Sequence, residues 1–393
     1  MKKTRFCLAA ALLTATSLAQ NQYVYTNDNA SPATTGAPNT VSAFITNADG
    51  TLTLLPGSPF PTGGNGSNGG RIAAYDITIV SRAREQAATS TLAANLLYAV
   101  NQGDGTLSAF RLDPSTGNLT ALAGSPFLID GPPGGDYSIT ASPDGRFLFV
   151  VNDATTAIRV YTIAPSGTIS AILGSPFETG TNWLGLKVTA NGRFLIAGEM
   201  SGNSAGVFRI APSGSITPVT GSPFPGSGQS AGVTATCDAS LAFHIDHNQD
   251  VDAYKMTPDG ALRPAPHSPF LTVTGFNAGL TLSPNNRFLF VSDPFGSNGA
   301  SSISAFTVRP NGALSPVPGS PFPASFGPGG VAAITTSADG KYLYSYMFVY
   351  SQVDVETIAA NGALTDLGSF FTGFAASGSG MGIASFPVPS CRP

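Results

Sequence analysis

Three side chains in this sequence have the chemistry to move a proton and to hold an anion: Glu199, Lys187 and Arg71. Glu199 stands where a repeating pattern mostly places Asn or Asp. Lys187 and Trp183 precede it on the neighbouring strand of the same unit. A carboxylate near a lysine can act as general base on a water molecule, and a lysine or arginine can steady the oxyanion that develops. A surface ion pair is the competing reading. Around Glu199 the pattern lines up Asn27, Asn101, Asn152, Asp246 and Asp293, with Met347 in the seventh place. From this mostly polar ring, Asn101, Asn152, Asp246 and Asp293 are candidate ligand contacts, together with Trp183 and His247. Asn and Asp also begin turns, which would account for the ring without any ligand.

The histidines are few. His244 and His247 flank Asp246, and His267 replaces the Gly of a recurring tetrapeptide. On a strand, His244 and Asp246 share a face while His247 points away. That spacing is poor for a compact metal centre, so neither a metal nor another cofactor is expected. Gly202-Asn203-Ser204-Ala205-Gly206 fits the Gly-x-Ser-x-Gly pattern of a hydrolase elbow. That elbow needs a strand-to-helix turn, whereas this segment joins two antiparallel strands.

The elements that carry these residues follow from a repeat. Gly-Ser-Pro-Phe or a close relative occurs seven times, with its Ser at Ser58, Ser125, Ser175, Ser222, Ser268, Ser320 and Ser369. A period near 50 residues marks one structural unit stacked repeatedly. In the clearest unit, residues 136–142 form a strand and Pro143-Asp144-Gly145 a turn. Residues 146–152 form a heavily apolar second strand and residues 157–163 an alternating third. Residues 168–173 form a fourth, and Gly174-Ser175-Pro176-Phe177 closes the unit. Four antiparallel strands in such a period make one propeller blade. The closing Pro should end the outer strand, because it lacks the ladder N–H. The following Phe should plug the groove between blades, worth about 2 kcal/mol per copy.

The ends set the number of blades. Tyr23-Val-Tyr-Thr-Asn27 is already a second strand, and residues 378–386 are a spare first strand. The C-terminal segment should therefore complete the N-terminal blade and remove two exposed sheet edges. The fold class is all-β, a seven-bladed propeller of four-stranded antiparallel blades. The second unit carries an insertion, roughly residues 81–95, between its first and second strands. It reads either as a short helix or as a solvated loop.

Composition bounds the partners. With 18 Lys and Arg against 22 Asp and Glu, the net charge is −4. Nucleic acid as a partner would need clustered cations, and none cluster beyond the first five positions. Lys2, Lys3 and Arg5 precede a short apolar run, and Ser17-Leu18-Ala19 offers small residues for cleavage. Residues 1–19 read as a signal peptide and residues 20–393 as one extracytoplasmic, monomeric domain without membrane insertion. Of the two cysteines past the leader, Cys237 and Cys391, an oxidising compartment permits a bridge. The alternative is one packed thiol and one tail thiol.

The stretch Ser142-Pro-Asp-Gly-Arg-Phe-Leu-Phe-Val-Val-Asn-Asp153, with its partners at residues 283–293 and 337–346, resembles the lactonase-family propellers. These include bacterial 6-phosphogluconolactonases and the fungal carboxymuconate cyclase type. Tyr23-Val-Tyr-Thr-Asn27 is also similar to repeats of surface-layer propellers. The resemblance implies seven blades and metal-free lactone chemistry by His, Glu and Arg on the loop-rich face. Glu199 and Arg71 match the Glu and Arg roles. Gly134-Gly135-Asp136-Tyr137 stands where the enzyme type carries His. A leader and a face poor in cations suit an unphosphorylated sugar or aromatic-acid lactone. The other open reading is a non-catalytic propeller that binds a protein or glycan on this face.

Overall fold

The computed structural model describes residues 21–31, 37–67, 76–81, 95–272, 276–296, 300–324, 330–347, 350–373 and 382–389. These form seven antiparallel sheets, six of them built from strands in sequence order. The inner strand of blade one is Gly382–Phe386, which pairs with Gln22–Asn27. The ring is thus closed by the C-terminal segment, as the spare first strand implied.

Alternation explains how each blade is used. On the second strands, Phe147–Asn152 and Phe288–Asp293 are buried at every position, because both faces of such a strand meet neighbouring blades. Buried side chains from consecutive blades merge into shared clusters. One cluster joins Tyr98 and Val100 of blade two to Leu148 and Val150 of blade three. Outer hairpins also lock onto the preceding blade. Gly214 has φ 87°, and a Cβ there would lie 2.5 Å from the Phe147 ring. Only glycine combines that backbone with that approach.

The closing tetrapeptide works differently from the expectation that its Pro ends the strand. The outer strand is interrupted rather than ended. In blade three, Ile169–Ala171 pairs with one end of the third strand, and Phe177–Glu178 resumes pairing at the other end. At the interruption the third strand loses a carbonyl acceptor, and the Ser hydroxyl oxygen takes its place. Ser175 Oγ accepts the Val160 N–H at 3.0 Å. The same bond recurs from Ser58 to Ala43, Ser125 to Ala109, Ser222 to Val207, Ser268 to Ala253 and Ser320 to Ala305. Blade seven lacks this Pro, and its outer strand Leu364–Phe371 is continuous. The Phe residues do sit between blades. Phe127 packs against the cluster shared by blades two and three, and Phe177 against that of blades three and four.

These serine bonds also fix how the blades align. They make Ala43 equivalent to Ala109, and their cross-strand partners Tyr25 and Tyr98 equivalent in turn. The blade-one ring member is therefore Asp28, not Asn27. The sequence alignment slipped by one residue because it matched terminal asparagines, while pairing register follows the serine clamp.

Residues 82–94 of the insertion lie outside the described residues. Its flanks, Val80 and Leu96, are paired, so it leaves from the turn between inner and second strands. Cys237 is disulfide-bonded, which removes the packed-thiol alternative for that residue. Its partner cysteine lies outside the described residues. Among the described residues, no helix is long and apolar enough to cross a membrane.

Candidate functional site

The ring lies at the end of the propeller where second strands finish and inner strands begin. Trp183, first residue of its inner strand, stands opposite Glu199, last residue of the second strand. Tyr137 faces Asn152 in the same way one blade earlier. The ring members are then Asp28, Asn101, Asn152, Glu199, Asp246, Asp293 and Met347.

Turn chemistry occupies three of them. Asn152 Oδ1 accepts the Ala154 N–H at 2.8 Å. Asp246 Oδ1 accepts those of Asn248 and Asp250 at 2.8 and 2.9 Å. Asp293 Oδ1 accepts that of Phe295 at 2.9 Å. A short polar side chain that reaches two residues on is the usual start of a turn.

In blades one and two the ring is absorbed into a buried network. Asn39 Nδ2 donates to Asn27 Oδ1 at 2.9 Å and to Asn101 Oδ1 at 3.0 Å. Asn27 Nδ2 donates to Asp76 Oδ2 at 2.8 Å. Asp28 accepts from Thr40, Ser42 and Thr26 hydroxyls at 2.6, 2.8 and 3.0 Å. Burial outweighs these bonds and raises the Asp28 carboxyl to about 7. Burial likewise pushes Asp76 well above the usual carboxylate range. Neither Asp28 nor Asp76 was singled out from sequence.

Glu199 differs from every other ring member. It is half-buried, whereas Asp28, Asn101, Asn152, Asp246, Asp293 and Met347 are at most 1% exposed. One of its oxygens accepts the Ser204 hydroxyl, so the Gly-x-Ser-x-Gly serine serves as a clamp on this carboxylate. Trp183 is buried beside it, with its Nε1–H on Thr179 Oγ1 at 2.7 Å. Lys187 does not join them. It pairs with Ile196, three residues before Glu199, a separation of about 10 Å along the strand. No ion pair links the two among the described residues. Arg71 lies outside the described residues.

Blade five holds a pairing that sequence reasoning missed. His244 Nδ1 is 3.0 Å from Asp252 Oδ2, with both side chains buried. Ser227 supports that oxygen through its N–H at 2.8 Å and its hydroxyl at 2.9 Å. The hairpin arithmetic could have found it, since residues 244 and 252 are equidistant from the turn at Asn248. His247 sits apart and half-buried, its ring 4.2 Å from that of Phe276, which in turn meets Phe295 at 6.0 Å. Burial lowers the His247 pKa, Asp246 opposes the shift and His244 adds to it. Among the described residues, no group of three or more His, Cys, Asp or Glu could hold a metal ion.

Comparisons with known proteins agree with this architecture. Residues 89–231 match the family model described as Lactonase, 7-bladed beta-propeller. Solved structures cover nearly the whole ring. A candidate 6-phosphogluconolactonase from Bacteroides fragilis is 17% identical with TM-score 0.69, over 94% of this chain and 99% of its own. A second, from Bacteroides uniformis, is 18% identical with TM-score 0.69, over 93% and 99%. The periplasmic gluconolactonase PpgL of Pseudomonas aeruginosa is 19% identical with TM-score 0.67, over 94% and 99%. Among curated proteins none matches. The described sheets form a seven-bladed propeller, and residues 89–231 resemble the lactonase family.

Proposed function

We propose that this lactonase-like propeller hydrolyses an unphosphorylated sugar or aromatic-acid lactone outside the cytoplasm, with Glu199 as the general base. The observation that carries the reading is the half-exposure of Glu199 in a ring whose other members are buried. A carboxylate must reach the water it activates. Glu199 takes a proton as the water oxygen bonds to the lactone carbonyl carbon. The tetrahedral oxyanion collapses and the ring C–O bond breaks. The departing alkoxide recovers the proton from Glu199, and a hydroxy acid leaves. Arg71 is the proposed partner of the oxyanion. Trp183 supplies an apolar wall beside the carboxylate. The step uses no metal.

The compartment is inferred from three supports. The first five residues carry Lys2, Lys3 and Arg5 ahead of an apolar run. Cys237 is disulfide-bonded, which suits an oxidising environment. The Pseudomonas aeruginosa relative is periplasmic.

A second reading has its own observation. His247 packs tilted against Phe276, Phe295 meets Phe276 edge-on, and Phe295 is 43% exposed, which makes an aromatic shelf. Such a shelf could hold a glycan without turnover. A panel of sugar and aromatic-acid lactones separates the two. Hydrolysis by the mature protein with a loss of about 100-fold or more in kcat for Glu199→Gln supports catalysis. Equal slow turnover by both proteins removes Glu199 from the reaction. No turnover on any lactone leaves the binding module.

A further inference from the structure

The inner strands carry a second ring, deeper than the first. The second-strand residues Tyr25, Tyr98, Phe149, Ile196, Phe243, Phe290 and Tyr344 are equivalent. Their inner-strand partners are Ala384, Thr78, Thr140, Lys187, Thr234, Thr281 and Thr335. Five hydroxyls, one methyl and one ammonium thus occupy a single level around the axis. The position before each is aliphatic and buried: Ile383, Ile77, Ile139, Leu186, Val233, Leu280 and Ile334. Side chains alternate along a strand, so one register packs between blades and the other meets the central channel.

Exposure supports that geometry. Thr78, Thr140, Thr281 and Thr335 are partly exposed and Lys187 is exposed, although all lie on the innermost strands. Lys187 is accessible to solvent yet surrounded by protein, as a side chain projecting into a channel must be. That surrounding protein lowers its pKa from the ordinary lysine value. None of the five hydroxyls has a hydrogen-bond partner among the described residues, and Lys187 has no carboxylate partner there. The inner strands pair on one edge only, so backbone N–H groups also line the opening. The carboxylate on the same register nearest this level, Asp76, is fully buried and bonded to Asn27.

We infer that the central channel is a binding site for a small anion, a carboxylate or an inorganic oxyanion, held by Lys187 and the threonine ring. An unpaired ammonium among unpaired hydroxyls is a donor-rich pocket whose complement is an acceptor-only group. The six hydroxyl and ammonium positions come from six different blades, so a ligand there would bridge most of the ring. Binding should therefore stabilise the closed fold by mass action.

The inference stands independently of the catalytic reading, and its test needs no turnover. Thermal midpoints are measured in phosphate, sulfate, acetate and gluconate against chloride at matched ionic strength, for wild type, Lys187→Met, Lys187→Arg, Thr140→Val and Glu199→Gln. Wild type, Lys187→Arg and Glu199→Gln should be stabilised by at least one of these anions. Lys187→Met should bind it about tenfold or more weakly, the loss expected for one charge-assisted hydrogen bond. Thr140→Val should weaken it less. A response to phosphate or sulfate alone identifies an inorganic oxyanion, and a response to gluconate or acetate identifies a carboxylate. Equal shifts in wild type and Lys187→Met, or no shift beyond chloride in wild type, would overturn the site.

Discussion

Trp183 lies so close over Gly206 that a Cβ on residue 206 would come 2.5 Å from the indole ring. Gly206 is on the third strand of the blade, paired with Ala197, and the absence of a side chain makes room for the ring. Trp183 also meets Phe208 edge-on, with centroids 5.6 Å apart. It is the only tryptophan in the chain, so its fluorescence reports directly on the wall beside Glu199.

Gly206→Ala should displace that ring. Overpacking of this kind costs about 1–3 kcal/mol. The emission maximum should shift to the red as the indole meets solvent, and lactone turnover should fall with it. An unchanged spectrum would mean that the ring is not seated on Gly206.

Asp28 makes stability depend on pH in an unusual direction. Its carboxyl titrates near its ordinary value of 3.8 when unfolded and at about 7 when folded. The folded state therefore holds the extra proton, and the stabilisation is complete below about pH 4 and lost as pH rises through about 7. A shift of this size corresponds to a few kcal/mol at most, on the order of 4. Asp28→Asn cannot ionise, so it should be more stable than wild type at pH 8 and lose that advantage by pH 4.5. Urea unfolding of both proteins across this range checks the sign, and parallel curves would refute it.

Each closing serine replaces a missing ladder bond. Ser175→Ala leaves the Val160 N–H without its acceptor, a loss of about 1–3 kcal/mol for a buried donor. Ser166→Ala, in an exposed turn, should change stability by less than about 0.5 kcal/mol. Denaturant midpoints for the two variants distinguish a clamp from a turn residue.

Cys237 should resist alkylation until the protein is reduced, because it is disulfide-bonded. Cys237→Ser should lower stability by about 2–4 kcal/mol. Peptide mapping with and without reductant tests the bond. Labelling of Cys237 in the unreduced protein would contradict it.

Much of the fold was legible because its signals are local. Pro143-Asp144-Gly145 marks a turn whatever lies beyond it, and the apolar run of residues 147–151 marks a strand covered on both faces. The likeness of residues 378–386 to the first strand at residues 329–336 identified the segment that closes the ring. The site was less legible. Asn152, Asp246 and Asp293 carried the right residue types but are spent on turns. Asp28 was hidden by a one-residue slip, because matching letters at strand ends does not determine pairing register.

By itself the sequence determined the blade, the number of blades and the way the ring closes. The blade and its repetition depend on alternation and turn residues within about 50 positions of one another, and the closure on a match between strands at the two ends of the chain. The tertiary structure alone decided which groups are reachable and which are spent. It left Glu199 accessible, separated it from Lys187 and set Lys187 at the same inner-strand level as five threonines. It also set His244 against Asp252. Residues far apart in the chain converge only when blades stack around an axis, and burial is a property of that convergence rather than of any single segment.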